Sequence, residues 1–147
     1  MATISTWADG LGNLVIRRKS KMAMKNPYGQ YKQNSIMTAS PQELTLMLYN
    51  GVLKFIGMGK IHIEQKDVPK ANESIMRAQD IVQELNITLN MDYEISTGLR
   101  SLYTYILEKL VDANISKDIK HLDEAAEMVT ELRDTWKEAM KITKTGR

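Results

Sequence analysis

The chain of 147 residues contains no cysteine, only one phenylalanine and only three prolines. Without cysteine it has no disulfide framework, no thiolate zinc site and no cysteine nucleophile. The absence therefore excludes a small secreted domain held by disulfides and is compatible with a reducing compartment. Because prolines are few, long stretches are free of the strongest helix breaker.

Long hydrophobic runs are missing as well. No apolar stretch approaches the roughly 20 residues that a membrane-spanning helix requires. Near the start, a basic cluster follows a weakly apolar part, which is the reverse of the order in a secretory signal; the cluster consists of Arg17, Arg18, Lys19 and Lys21. Such a cluster suits nucleic acid or a membrane surface, but the rest of the chain offers no basic face to extend it. We therefore expect a cytoplasmic protein with neither nucleic-acid binding nor membrane insertion.

What the sequence does have is helical periodicity. Apolar residues recur three and four positions apart in four segments, which predict helices over about 41–65, 68–89, 95–113 and 117–142. We expect Asn114 and Ser116 to end the third helix and cap the fourth. No strand pattern competes, and short links make successive helices antiparallel. The predicted fold class is all-α, an antiparallel four-helix bundle with an N-terminal arm or short helix packing on it.

The first predicted helix has a clear start. Ser40 is a preferred capping residue, Pro41 occupies the first helical position, and Glu43 completes the spacing of a capping box. Asp67 is a good cap for the second predicted helix, with Pro69 in its first turn. Glycine is unfavourable inside a helix. The first predicted helix nevertheless contains Gly51, Gly57 and Gly59. Three glycines predict a close approach of another backbone or the floor of a groove, while at least one of them is simply tolerated.

Along the chain we distinguish three parts. Residues 1–25 have no helical or strand period, so we expect a flexible extension. Because Met22 is an alternative start, we hypothesise that the residues before it are not part of the native protein. Residues 26–142 form the predicted bundle domain, and residues 143–147 a frayed basic tail. Within the arm, Tyr28, Tyr31 and Ile36 are large groups that require cover. The arm either packs permanently as a fifth element or covers a groove that accepts an amphipathic partner.

A search for catalytic chemistry finds little. The two histidines, His62 and His121, stand on predicted helices without the repeated Glu-x-x-His pairs of a bundle-core metal site. Asp123 and Glu124 belong to a charged face that is typical of solvated helices. We predict no enzyme activity, no metal and no cofactor. A di-metal bundle enzyme is the alternative from another class, and it requires inward carboxylates that the apolar stripes lack.

Residues 26–51, NPYGQYKQNSIMTASPQELTLMLYNG, resemble the opening of the FliS family of flagellin-specific export chaperones. That family typically has N-P-Y-x-x-Y, then T-A-S-P-x-x-L, then M-L-Y-D-G. The turn at 91–96 and the pair Leu102-Tyr103 are similar too, so the resemblance covers about 24–141. Asn50 departs from the usual aspartate, which removes a charge but keeps an acceptor, so we expect a retuned contact.

The resemblance implies a cytoplasmic chaperone for flagellum biogenesis with no need for a cofactor. Such proteins bind the disordered C-terminal segment of flagellin, which becomes helical as it wraps the bundle. Binding prevents premature polymerisation and presents flagellin to the export gate of the flagellar type III secretion apparatus. The alternative is a regulatory module that holds another flagellar protein, such as an anti-sigma factor.

The partner-binding residues follow from the stripes and the resemblance together. The arm residues Tyr28, Tyr31 and Ile36 form the predicted displaceable cover. Each apolar candidate on the helices has core packing as an equally weighted alternative, because a stripe does not show which side faces a groove. These candidates are Leu48, Tyr49, Asn50 and Phe55 on the first helix and Tyr103, Ile106 and Leu107 on the third.

Overall fold

The structure is a computed structural model that describes the backbone of residues 39–145 and the side chains of residues 39–142. It contains four helices: α1 (Pro41–Glu64), α2 (Val68–Ile87), α3 (Glu94–Ser116) and α4 (Ile119–Thr145). The described residues include no strand. The extension 1–25 and the arm with Tyr28, Tyr31 and Ile36 lie outside the described residues.

The helices form an antiparallel bundle. Each packs against the next, and α4 returns to α1. Asn50 on α1 approaches Arg133 on α4, and Lys60 further along α1 approaches the earlier residue Asp123. The two helices therefore run antiparallel. The predicted all-α bundle is therefore confirmed, and the helix ends differ from the prediction by only a few residues.

The two helix starts that the sequence predicted have the expected caps. Ser40 Oγ accepts a hydrogen bond from the Glu43 amide at 3.1 Å, and Asp67 Oδ1 accepts one from the Lys70 amide at 3.2 Å. A proline follows each cap within the first turn of the helix. Local sequence therefore fixes where α1 and α2 begin.

The junction between α3 and α4 agrees with the prediction at the helix end but not at the cap. The third helix ends at Ser116, one of the two residues predicted to end it, and Lys117 then reverses the chain with a left-handed φ of 57°. Asp118, not Ser116, supplies the side chain at the start of α4, where its Oδ1 accepts from the Lys120 amide at 2.9 Å. A lysine in the left-handed region is unusual, because glycine or asparagine normally takes that position.

The core extends along the whole bundle and is almost entirely aliphatic, with Tyr49, Tyr103 and Trp136 as its large aromatic members. The indole of Trp136 donates to the Gln42 carbonyl oxygen at 3.0 Å, which ties α4 to the first turn of α1. Two glycines of α1 lie close to another helix, although side chains approach them and not the backbone that the sequence predicted. A Cβ added at Gly59 would lie 3.1 Å from Ile75 Cγ1, and one at Gly51 would lie 3.2 Å from Ile81 Cδ1.

Candidate partner-binding surface

The predicted site residues of α1 are divided between core and surface. Leu48 and Tyr49 are 5% and 1% exposed, so both belong to the core. Asn50 is exposed and Phe55 is half-buried. Only these last two offer a partner any contact while the bundle stays closed.

The predicted residues of α3 are divided in the same way. Tyr103 and Ile106 are fully buried, and Leu107 is half-buried against the core. Tyr103 meets Tyr49 across the bundle, where their hydroxyl oxygens lie 2.7 Å apart. Burial raises the pKa of Tyr49 despite the opposing effect of its hydrogen bond with Tyr103. Burial likewise raises the pKa of Tyr103, so both hydroxyls stay neutral at physiological pH.

Phe55 lies at the centre of a mixed surface on α1 and α2. The ammonium of Lys54 and the guanidinium of Arg77 lie 5.8 and 5.7 Å from its ring centroid, within the range of a cation–π interaction. Met47 and Met58 are exposed on the same helix. Methionine adapts its shape to different partners, so this surface suits a variable apolar ligand.

The largest apolar exposure lies on α3 and was missed by the sequence reading. Five large hydrophobic side chains of this helix are at least 37% exposed, whereas α4 presents one, Ile142, among its described residues. Leu102 and Tyr105 stand one helical position away from the buried candidates Tyr103 and Ile106. The five exposed residues of α3 are Ile95, Leu102, Tyr105, Val111 and Ile115.

Gly98 continues this α3 surface without a side chain. A Cβ added there would meet no atom within 4 Å. Helical spacing places Gly98 on the same flank as Ile95, Leu102 and Tyr105. The flank is bordered towards α4 by an ion pair between Lys109 Nζ and Glu124 Oε2 at 2.9 Å. The hydrogen bond to Glu124 raises the pKa of Lys109, and the bond from Lys109 lowers that of Glu124.

Asn50 has a specific partner. Arg133 Nη1 on α4 approaches Asn50 Oδ1 at 3.5 Å, and Arg133 also pairs with its neighbour Asp134 at 3.2 Å. An uncharged amide therefore accepts a weak hydrogen bond from Arg133 where the resemblance leads one to expect a carboxylate.

The polar chemistry of the described residues is sparse. They hold no group of three or more histidine or acidic side chains placed to bind a metal ion. His62 and His121 are each half-buried, and in both the Nδ1 atom is buried without a hydrogen-bond partner. Within the described part, no helix is long and apolar enough to cross a membrane.

Fold and surface together define the class of the protein: a small helical bundle whose described surface exposes several large apolar side chains. Its family follows from comparison with known proteins. The model of the family "Flagellar protein FliS" matches residues 24–143. The chain therefore belongs to the FliS family of flagellar chaperones.

Named relatives agree. The chain is 48% identical over 126 residues to the flagellar secretion chaperone FliS of Bacillus subtilis (strain 168), which covers 86% of this chain and 95% of the relative. It is 31% identical over 113 residues to the FliS of Campylobacter jejuni, covering 76% of this chain and 88% of the relative. It is 28% identical over 109 residues to the Salmonella typhimurium protein of the same name, with 72% and 81% covered.

Proposed function

We propose that this protein binds the C-terminal segment of flagellin in the cytoplasm, prevents its premature polymerisation and aids its delivery to the flagellar type III export apparatus. Family membership supports a flagellar partner. The observation that carries the proposal is the flank of α3 on which Ile95, Leu102 and Tyr105 are exposed, because a contiguous apolar patch on a protein surface marks an interaction site.

The binding mode follows from the shape of that surface. Ile95, Leu102 and Tyr105 share a flank of α3 at helical spacing, and Gly98 leaves room between them. An amphipathic segment that becomes helical can lay its apolar side along such a flank. Its affinity comes from apolar burial, reduced by the entropy lost when a disordered segment becomes ordered. No nucleotide is required for such a step.

On α1, the client-facing residues that the structure leaves accessible are Asn50 and Phe55, with Leu107 as a further contact on α3. The buried candidates Leu48, Tyr49, Tyr103 and Ile106 cannot touch a client in the closed bundle. Their proposed contribution is therefore indirect: they fix the positions of α1 and α3 and so the spacing of the exposed residues. Direct contact by these residues would require the bundle to open.

The arm residues Tyr28, Tyr31 and Ile36 remain the proposed displaceable cover. We expect the double variant Tyr28→Ala with Tyr31→Ala to leave the helix content unchanged and to alter the affinity for the flagellin segment. Titration calorimetry measures that affinity, and circular dichroism checks the fold. An unchanged affinity would show that Tyr28 and Tyr31 of the arm take no part in flagellin binding.

The deciding experiment is a calorimetric titration with a peptide of the cognate flagellin C-terminus. We expect tight binding, a negative heat capacity change and a gain in helix. The double variant Leu102→Ser with Tyr105→Ser should bind the peptide at least about tenfold more weakly, because each substitution removes a large apolar side chain that the complex would bury. Ile142→Ser is the matched control, since it makes the same kind of change on α4.

Two outcomes would contradict the proposal. If a folded protein fails to bind the flagellin peptide, the client is a different protein. If an anti-sigma factor binds to the same apolar flank of α3 and flagellin does not displace it, the regulatory alternative is correct. Equal affinity of the wild type and the α3 double variant for the peptide would instead show that flagellin binds elsewhere than on this flank of α3.

A further inference from the structure

The end of the bundle opposite the α1 start contains a small cavity that the proposed function does not use. It has a volume of about 200 Å³. It lies where the turn between α1 and α2 meets the turn between α3 and α4. The 24 residues of α1 separate this end from Ser40 by about 36 Å. Its lining residues are Ile63, Lys66, Asp67, Val68, Ala71 and Lys117.

The lining of this cavity is apolar at its base and rim. Ala71 is fully buried, Ile63 is partly buried against the core, and Val68 is 52% exposed. Because both the base and one edge are hydrocarbon, an aliphatic side chain of another molecule would bury apolar surface here. Such burial contributes about 25 cal/mol per Å².

The charge around this cavity is positive. The ammonium of Lys66 has no ion pair or hydrogen bond among the described residues. Lys117 Nζ is held by Asn72 Oδ1 at 2.7 Å, by Asn114 Oδ1 at 2.8 Å and by the Asn114 carbonyl. These acceptors satisfy the hydrogen bonds of Lys117 but carry no charge.

The one acid in the lining does not offset these two lysines. Asp67 caps α2 through the Lys70 amide, and its other oxygen lies 3.9 Å from Lys70 Nζ. Since Lys70 already faces Asp67, neither Lys66 nor Lys117 forms an ion pair with it, and the lining keeps a net charge of +1, from two lysines and one aspartate. The cavity wall therefore favours an anionic group beside the aliphatic one.

The backbone at these two lysines is unusual in the same way. Lys66 and Lys117 have φ values of 59° and 57°, and no other non-glycine residue in the described part has a positive φ. A side chain in this region costs about 1 kcal/mol relative to glycine. Glycine at either position would remove the cost together with an ammonium that borders the cavity. At both helix ends a lysine therefore stands where glycine would fit the backbone more easily.

We propose that this cavity, lined by residues 63–71 and Lys117, binds a segment of a partner protein that carries a large aliphatic side chain next to a carboxylate. The aliphatic group enters between Ile63, Val68 and Ala71, and the carboxylate lies against Lys66 and Lys117. The site shares no residue with the proposed flagellin surface, and the proposal does not rest on flagellin binding.

The test is a titration of the full ¹⁵N-labelled chain followed by NMR. The probe is the short peptide acetyl-Ser-Asp-Leu-Glu-Ser-amide, with one control in which Asn and Gln replace the acids and another in which lysines replace them. We expect the acidic peptide to shift the amide signals of Lys66, Val68, Ala71 and Lys117 with low-millimolar affinity. The amide version should bind several-fold more weakly and the lysine version not measurably. Added salt should weaken the acidic peptide.

Two variants with matched controls complete the test. Lys66→Gln should reduce binding of the acidic peptide several-fold, whereas Lys54→Gln on the middle of α1 should not. Val68→Ser should abolish the shifts, whereas Val111→Ser on α3 should leave them. Circular dichroism confirms that each variant is folded.

Several results would overturn the proposal. Shifts that map elsewhere, shifts of equal size with all three peptides, or no shifts at all would each do so. The absence of shifts would also be the result if another part of this chain already filled the cavity, and that too would overturn the proposal. Flagellin binding by these cavity variants should remain at the wild-type level, so failure here is distinguishable from failure of the proposed function.

Discussion

The hydroxyl oxygens of Tyr49 on α1 and Tyr103 on α3 lie 2.7 Å apart in the core, between two helices that are diagonal in the bundle. Both side chains are at most 1% exposed. In an apolar interior each hydroxyl needs a partner, because an unpaired polar group there is costly. The pair therefore favours one axial offset of α1 relative to α3, and with it one arrangement of the surface residues on both helices.

The first prediction concerns this pair. Tyr49→Phe or Tyr103→Phe alone should lower the free energy of unfolding by about 1–3 kcal/mol, because each leaves the other hydroxyl buried without a partner. The double variant should cost less than the sum of the two single variants. Urea unfolding followed by circular dichroism measures all four proteins of the cycle. Strictly additive losses would show that the hydroxyls do not interact.

The same pair predicts a loss of stability at alkaline pH. Burial raises the pKa of both tyrosines in the folded state above the ordinary value of 10.0. Above that value the unfolded chain releases these protons while the folded chain keeps them. The contribution of this pair to stability is therefore complete below about pH 10 and is lost as the pH rises above it.

Unfolding experiments between neutral pH and about pH 11 test this prediction. Lysines also titrate near this range, so the variant Tyr49→Phe with Tyr103→Phe is the control. It should keep its stability to higher pH than the wild type. Identical pH profiles would show that other groups cause the alkaline loss.

Sequence reasoning predicted the parts of this structure that local chemistry determines. The caps at Ser40 and Asp67 and the four helices depend on neighbours in sequence, and all are present. The Tyr49–Tyr103 contact joins residues 54 positions apart. No local pattern predicts such a pair, because it depends on how the helices are packed.

The candidate surface shows a second limit of the sequence reading. A wide apolar stripe on α3 contains both the buried Tyr103 and the exposed Leu102. One step along a helix rotates the side chain by about 100°, so core and surface residues are adjacent in sequence. Only the positions of α2 and α4 decide which of the two is covered.

The glycines of α1 give a prediction with an internal control. Gly57 has no atom within 4 Å of an added Cβ, so Gly57→Ala should stabilise the protein by up to about 1 kcal/mol through helix propensity. Gly59→Ala should destabilise it, because the new methyl would lie 3.1 Å from the fully buried Ile75. Gly51→Ala should be close to neutral, since Ile81 can move its terminal methyl.

Thermal unfolding of the three glycine variants provides the measurement. The order of stability should be Gly57→Ala, then Gly51→Ala, then Gly59→Ala. A stabilising Gly59→Ala would mean that α1 and α2 move apart easily. It would contradict the close approach as the reason for glycine at that position.

The contact between Asn50 and Arg133 predicts the effect of restoring a carboxylate. Asn50→Asp should stabilise the bundle by about 0.5 kcal/mol, because a charged acceptor replaces the amide in a partly exposed pair. The gain should disappear at high salt. Urea unfolding at two salt concentrations measures it, with Asn50→Asp in an Arg133→Gln background as the control. A gain of equal size in that background would exclude Arg133 as its cause.

The left-handed lysines give the last prediction. Lys66→Gly should raise the free energy of unfolding by about 1 kcal/mol, because glycine adopts the φ of 59° without the steric cost that a side chain has. Lys117→Gly removes a similar cost but also the bonds that Nζ makes to Asn72 and Asn114, so its gain should be smaller. Chemical unfolding of both variants measures the difference. If Lys66→Gly lowers stability, the Lys66 side chain stabilises the fold itself, and the strain at this position would need no partner to explain it.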